Sequence, residues 1–121
     1  MELVLIKELL KKKSVKYFDD FSKKSLKNLS ETFSRNISLE DWENKFKGKK
    51  RVLKFNSDVF KKFKRINVKV ISMAIDEKNK IVFCEITIKL DKITLDVIDV
   101  LMFDRYNKIS QIKAYKLWEI L

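Results

Sequence analysis

Apolar positions along the chain change period near its middle. From Glu2 to about Lys23 they recur at helical spacing, through Val4, Leu5, Leu9, Leu10, Val15, Phe18 and Phe21. Ser25 is placed to cap a second, shorter helix carrying Leu26, Leu29 and Phe33. Asn36 to Trp42 reads as strand or turn. Gly48, the only glycine, precedes a third helical run through Val52, Leu53, Phe55, Val59, Phe60 and Phe63. A lone glycine there fits a helix entry that needs an unusual backbone angle or a close approach. From Ile66 onward β-branched residues dominate in four extended runs: Ile66–Ile75, Lys80–Leu90, Ile93–Phe103 and Lys108–Trp118. The breaks at Asp76–Asn79, Asp91–Lys92 and Asp104–Asn107 are short enough for hairpins.

Three helices followed by a four-stranded meander predict an α+β fold. The helices pack on one face of a curved, mainly antiparallel sheet, and the curvature encloses a pocket, giving a cone. At 121 residues the chain is expected to form a single domain over 1–121 with one apolar core.

Composition removes several kinds of chemistry. There is no His and one Cys, Cys84. Zinc, haem and iron–sulfur sites built from several Cys or His ligands are therefore not expected, nor is a His base. A single Cys cannot form an internal disulfide, so nothing points to an oxidising compartment. No cleavable leader and no membrane-length apolar run is visible, and a cytoplasmic location is the default expectation.

The net charge of +11 raises the question of nucleic acid. The excess is almost all Lys, with only Arg35, Arg51, Arg65 and Arg105 able to supply the guanidinium fork that specific phosphate and base contacts favour. Lys, Ile and Asn are abundant while Gly, Pro, Ala and Arg are scarce, the pattern of AT-rich codons. A basic surface, not a nucleic-acid ligand, is the expectation.

The most informative segment is Thr94-Leu95-Asp96-Val97-Ile98-Asp99-Val100-Leu101-Met102-Phe103. Asp is a poor strand residue, and here two stand in an apolar strand. Their odd separation sends the two carboxyls to opposite faces. An acid on the helix-covered face is costly unless it is neutral or hydrogen-bonded. On this strand alone, a bulge that leaves both Asp in water is the more ordinary arrangement.

The run Leu95 to Val100, followed by Phe103-Asp104, a turn, Lys108-Ile109 and Ala114-Tyr115, resembles the end of bacterial ketosteroid isomerases. These sit in the nuclear transport factor 2-like superfamily with the SnoaL-like polyketide cyclases. Tyr17-Phe18-Asp19-Asp20-Phe21 is similar to the end of the family's first helix, Phe33 to Asp41 to its short first strand, and Gly48 to the glycine before its third helix.

The resemblance implies a catalytic set. Tyr17 matches the helix-one tyrosine, Asp41 the general-base aspartate and Asp99 the protonated aspartate of the oxyanion hole. Asp96 matches nothing essential and is assigned to the outward face. Each has an ordinary alternative: Tyr17 as core, Asp41 as a turn residue or cap.

The chemistry calls for these residue types. Moving a C=C bond beside a ketone removes a proton α to the carbonyl, and negative charge appears on the oxygen. A carboxylate takes the proton, and donors in a dry pocket hold the oxygen. A second Asp helps only as the neutral acid. No cofactor or metal is needed, and the implied ligand is a small apolar carbonyl compound.

By the same resemblance, Phe33, Ile112, Ala114, Lys116 and Trp118 are the expected pocket residues. Phe33 replaces a supporting tyrosine found in one relative, and Lys116 stands where an isomerase tends to carry an aromatic. Lys116 can favour an anionic ligand or reach out to water. Steroid isomerase-like or SnoaL-like catalysis is the leading expectation. A non-catalytic module binding a small ligand or partner on the same fold is the alternative. The later strands are apolar on both faces, Leu95, Val97, Leu101 and Phe103 on one and Ile98, Val100 and Met102 on the other, which predicts a homodimer.

Overall fold

The structure is a computed structural model describing residues 2–120, with side chains from residue 5 onward; the Val4 side chain lies outside the described residues. The chain runs through α1 (Glu2–Ser22), α2 (Leu26–Thr32), β1 (Phe33–Glu40), β2 (Lys45–Lys47), α3 (Lys49–Lys62), β3 (Ile66–Asp76), β4 (Ile81–Leu90), β5 (Ile93–Phe103) and β6 (Ile109–Ile120). All six strands form one sheet in the order β2-β1-β6-β5-β4-β3. β3 to β6 make the expected antiparallel meander, and the architecture is α+β with three helices on a curved sheet. β1 returns to lie parallel to β6, and β2 pairs antiparallel with its outer edge. The three-residue β2 is too short to give a periodic signal, and the sequence had not shown it.

Alternation along β5 builds the core. Leu95, Val97, Asp99, Leu101 and Phe103 are buried, and the residues between them are only half-buried. The inward face continues through Val82, Cys84 and Ile86 on β4 and Ile109 and Ile112 on β6. Irregularities in register interrupt the ladders after Val70, Asp96 and Met102. Such bulges bend and twist a strand locally, and here they curl the sheet around the helices. Phe33 leaves the helical stripe in which the sequence reading placed it. It takes extended angles as the C-cap of α2 and opens β1, fully buried.

Polar side chains tie the helical wall to the sheet. Ser25 caps α2, its Oγ accepting from Asn28 N–H. The buried Asp20 carboxylate accepts from Lys16 Nζ at 2.6 Å and from Asn28 Nδ2 at 3.1 Å, pinning α1 to α2. Ser22 Oγ donates to Phe18 O and accepts from Val68 N–H, pinning α1 to β3. Lys24 Nζ donates to the carbonyls of Phe60, Phe63 and Lys64, satisfying the C-terminal end of α3. Among the described residues no helix is long and apolar enough to cross a membrane.

Gly48 has φ +94° at the entry to α3, and its N–H donates to Ile37 O at 2.7 Å. A Cβ there would meet no atom within 4 Å, so the requirement is conformational, not steric. Gly48→Ala is expected to lower stability by about 1–3 kcal/mol through the backbone angle alone, measured by urea denaturation. An unchanged midpoint would show that this turn relaxes without strain.

Candidate active site

Tyr17, Asp41 and Asp99 all line one cavity of about 310 Å³ that lies between the sheet and the helices and opens to the surface. Its floor is apolar, formed by Leu95 and Val97 of β5 and Ile112 and Ala114 of β6; Phe55 and Val59 of α3 close the other side. Trp42, Glu43, Lys62 and Glu119 are its exposed lining residues and mark the mouth.

The register explains how two carboxylates reach the same space. Leu39 of β1 pairs with Ile112 of β6, and Ile112 with Leu101 of β5. Two residues on, β1 has given way to Asp41, β6 carries Ala114, and Ala114 pairs with Asp99. Ala114 thus lies beside Asp99 and level with the point where the chain leaves β1 into Asp41, and the three residues line the same cavity. The alanine methyl leaves the space between the two carboxyls open.

Asp99 is buried, with 6% of its surface exposed. Burial, reinforced by the negative charge of Asp41, pushes its carboxyl from the ordinary 3.8 up to about 7. Asp99 is thus neutral in a large fraction of molecules near neutral pH, able to donate a hydrogen bond. Asp96 lies on the opposite face, half-buried, accepting from the cross-strand Thr87 Oγ1 at 3.0 Å. β5 itself stays in unbroken register with β4 across both residues, the bulge at this level lying in β6, and neither Asp stands fully in water.

Tyr17 comes from the last turns of α1, 5% exposed, with its ring 5.0 Å from that of Phe18, 6.4 Å from Phe21 and 6.0 Å from Phe33. Burial first, then the neighbouring Asp99, holds its hydroxyl well above the ordinary tyrosine range. It keeps its proton and is available as a donor. Cys84, beside Asp99 on β4, is pushed up to about 12 by burial and by Asp99, so it remains a thiol.

Asp41 is both a turn residue and a cavity residue. Its Oδ1 accepts from Glu43 N–H at 2.8 Å, Asn44 N–H at 2.7 Å and Asn44 Nδ2 at 3.2 Å. Its Oδ2 accepts only a long bond from Asn44 Nδ2 at 3.3 Å, leaving that oxygen with lone-pair capacity.

Two of the five expected pocket residues, Ile112 and Ala114, line the cavity. Three do not. Phe33 is packed behind Tyr17 in the core. Lys116 is exposed at the rim, paired with Glu119 at 3.0 Å and 5.3 Å from the Trp42 ring centroid. Trp118 is 69% exposed on the outer face, opposite Asp96. The cause is a bulge: Val97 pairs with Lys116 and Asp96 with Trp118, so Leu117 is the extra residue and parity inverts after it. Glu119 takes the cavity side in place of Trp118. The sequence reading also passed over Asn56, which lines the cavity from α3. The sequence shows only its i, i+4 spacing from Val52 and Phe60; that all three are buried is seen in the structure.

Comparison with known proteins finds no matching family model and no matching curated sequence. Solved structures match well in shape. A SnoaL-like protein of unknown function from Burkholderia thailandensis E264 superposes with a TM-score of 0.81 at 9% identity, covering 92% of this chain and 96% of that one. A provisionally named ketosteroid isomerase from Kribbella flavida DSM 17836 gives 0.77 at 14% identity, covering 94% and 82%. An LEH-like epoxide hydrolase from M. tuberculosis gives 0.73 at 13%, covering 91% and 84%. The chain has the nuclear transport factor 2-like fold. Its structural neighbours include proteins named as ketosteroid isomerase, polyketide cyclase and epoxide hydrolase relatives.

Proposed function

We propose that the protein is a ketosteroid-isomerase-like or SnoaL-like enzyme that enolises a small, largely apolar carbonyl compound. The observation that carries this is the sharing of one cavity by Tyr17, Asp41 and Asp99, with Asp99 raised to about 7 by its surroundings. Two carboxyls driven apart in protonation are the requirement for one to accept a proton while the other donates a hydrogen bond. Asp41, through Oδ2, removes the proton α to the carbonyl and returns it at another carbon. The enolate oxygen is held by the Tyr17 hydroxyl and the neutral Asp99 carboxyl, in a space walled by apolar side chains where such bonds are strong. No cofactor takes part. The test is exchange of α-protons for deuterium in a panel of cyclic enones and β,γ-unsaturated ketones. Enzyme-dependent exchange that disappears in Tyr17→Phe and Asp41→Asn supports the assignment; no exchange with any of them removes it.

A second reading is favoured by one observation. Oδ1 of Asp41 is fully engaged in its turn, which is also what a purely structural aspartate would show. On that reading the cavity binds a small ligand without turnover. Tight binding of an aromatic alcohol with no proton exchange distinguishes it.

We also propose a homodimer through the outer sheet face. Phe83, Tyr115, Trp118 and Ile120 are exposed there, adjoining the half-buried Ile98, Val100 and Met102. A patch of this composition on one continuous face is suited to self-association about a two-fold axis. Sedimentation at micromolar concentration is expected to give a dimer, and Trp118→Asp to shift it toward monomer; a wild-type monomer contradicts the proposal.

A further inference from the structure

The cavity contains a polar group that enolisation does not use. Asn56 sits in the middle of α3 with 1% of its surface exposed and lines the cavity. Its Nδ2 is the one buried side-chain nitrogen or oxygen among the described residues with no hydrogen-bond partner. The other buried polar residues are accounted for. Ser14 Oγ donates to Leu10 O, and Asp20 is held by Lys16 and Asn28. Asp99 belongs to the proposed oxyanion site. An amide donor left unpaired in the interior is destabilising. Its neighbours on the same helical line are Val52 and Phe60, so a leucine at 56 would suit the packing without that cost.

We infer that Asn56 is a ligand-contacting residue whose side-chain amide donates to a second, uncharged oxygen on the molecule that occupies the cavity. This rests on the enolate reading above and deepens it: the substrate is a carbonyl compound carrying an ether, hydroxyl or second carbonyl oxygen away from the enolisable group. The two contacts come from different places in the fold. Tyr17 and Asp99 belong to α1 and β5, whereas Asn56 belongs to α3, which packs on β1 and β2. The second oxygen is uncharged because the lining is acidic. Asp41, Glu43 and Glu119 line the cavity with Lys62 as the one cationic lining residue among the described residues, and the nearby Lys116 is already paired with Glu119. A carboxylate or phosphate would meet repulsion there despite the chain's net charge of +11.

The test uses 2-naphthol, whose single oxygen stands in for the enolate oxygen, and its monomethoxy derivatives, which add an acceptor without a donor. Affinities are measured by calorimetry for wild type, Asn56→Leu and Tyr17→Phe. At least one methoxy isomer is expected to bind wild type roughly 5- to 10-fold more tightly than 2-naphthol, the range of a neutral hydrogen bond. That advantage is expected to vanish in Asn56→Leu, while 2-naphthol itself binds the two proteins alike. In wild-type protein the Asn56 side-chain amide protons should shift downfield on adding that isomer and stay in place with 2-naphthol. This measurement decides the matter even if Asn56→Leu does not fold. If 2-naphthol binds in a Tyr17-dependent way but no methoxy isomer gains, or the gain survives in Asn56→Leu, this inference falls and the enolate reading stands. If 2-naphthol does not bind, or binds Tyr17→Phe equally well, both fall.

Discussion

Asp41→Asn is expected to reduce turnover of an enolisable ketone by about 10²–10⁴-fold, the usual contribution of a positioned general base. The fold should survive, because the substitution keeps the Oδ1 acceptor. The bonds from Glu43 N–H and Asn44 N–H, which close the turn after β1, can still be made. What is lost is Oδ2, the atom left with lone-pair capacity, replaced by an amide nitrogen that cannot accept a proton. Asp99→Asn is expected to do less harm, since an amide still donates toward the oxyanion. Tyr17→Phe leaves the ring packing against Phe18, Phe21 and Phe33 and removes only the hydroxyl. A loss of about 10²–10³ is expected for it, as for other single oxyanion donors. The measurement is kcat and KM for the best ketone in the panel, with melting temperatures alongside. If Asp99→Asn is the more damaging of the two Asp changes, the roles are reversed. Equal turnover in Asp41→Asn and wild type means that Asp41 is not the base for that substrate.

The parts of this site legible in the sequence rest on the resemblance, which implies Tyr17, Asp41 and Asp99, and on short-range parity. The odd separation of Asp96 and Asp99 puts them on opposite faces of a regular strand, which β5 is against β4; the sequence pattern alone favours a bulge with both in water, and the buried acid at Asp99 is what the resemblance implies. Ile112 and Ala114 are implied by the resemblance, and the same alternation puts them on one face. Parity is also what misled beyond Lys116. One extra residue in β6, Leu117, moves Trp118 to the outer face and Glu119 to the cavity, and no local signal in Tyr115-Lys116-Leu117-Trp118-Glu119 announces it. Phe33 was misplaced for a related reason. Its spacing from Leu26 and Leu29 suits a helix, but α2 stops at Thr32 and the residue serves both as its cap and as the start of β1. Asn56 was legible as a polar residue on an apolar line, but a single polar residue in a helix commonly faces water. Only the burial of Val52 and Phe60 one turn either side shows that it does not. Asp41 shows that two readings of one residue need not exclude each other: the turn that engages Oδ1 is what holds the carboxyl at the edge of the cavity.

The buried Asp99 should also govern how the protein responds to pH. A carboxyl moved from the ordinary 3.8 to about 7 resists ionisation in the folded state by on the order of 4 kcal/mol. Between those two values the folded chain holds a proton that the unfolded chain has released, so the folded state binds more protons and stability falls as pH rises. The contribution is fully present below about pH 4, is lost as pH passes through about 7, and is level above that, where both states are ionised. Asp99→Asn has no such group. Its stability relative to wild type is therefore expected to climb from pH 5 to pH 8 and then level off, with the difference read from urea denaturation at each pH. Groups remote from Asp99 titrate alike in both proteins and cancel. Catalysis should carry the same signature. Wild-type turnover is expected to fall above pH 7 as Asp99 ionises and ceases to donate, whereas Asp99→Asn, lower overall, should stay flat through that range. Parallel stability curves would mean that Asp99 is ionised in the folded protein at neutral pH. A variant whose turnover also falls above pH 7 would place the controlling ionisation on another group and take Asp99 out of the oxyanion hole.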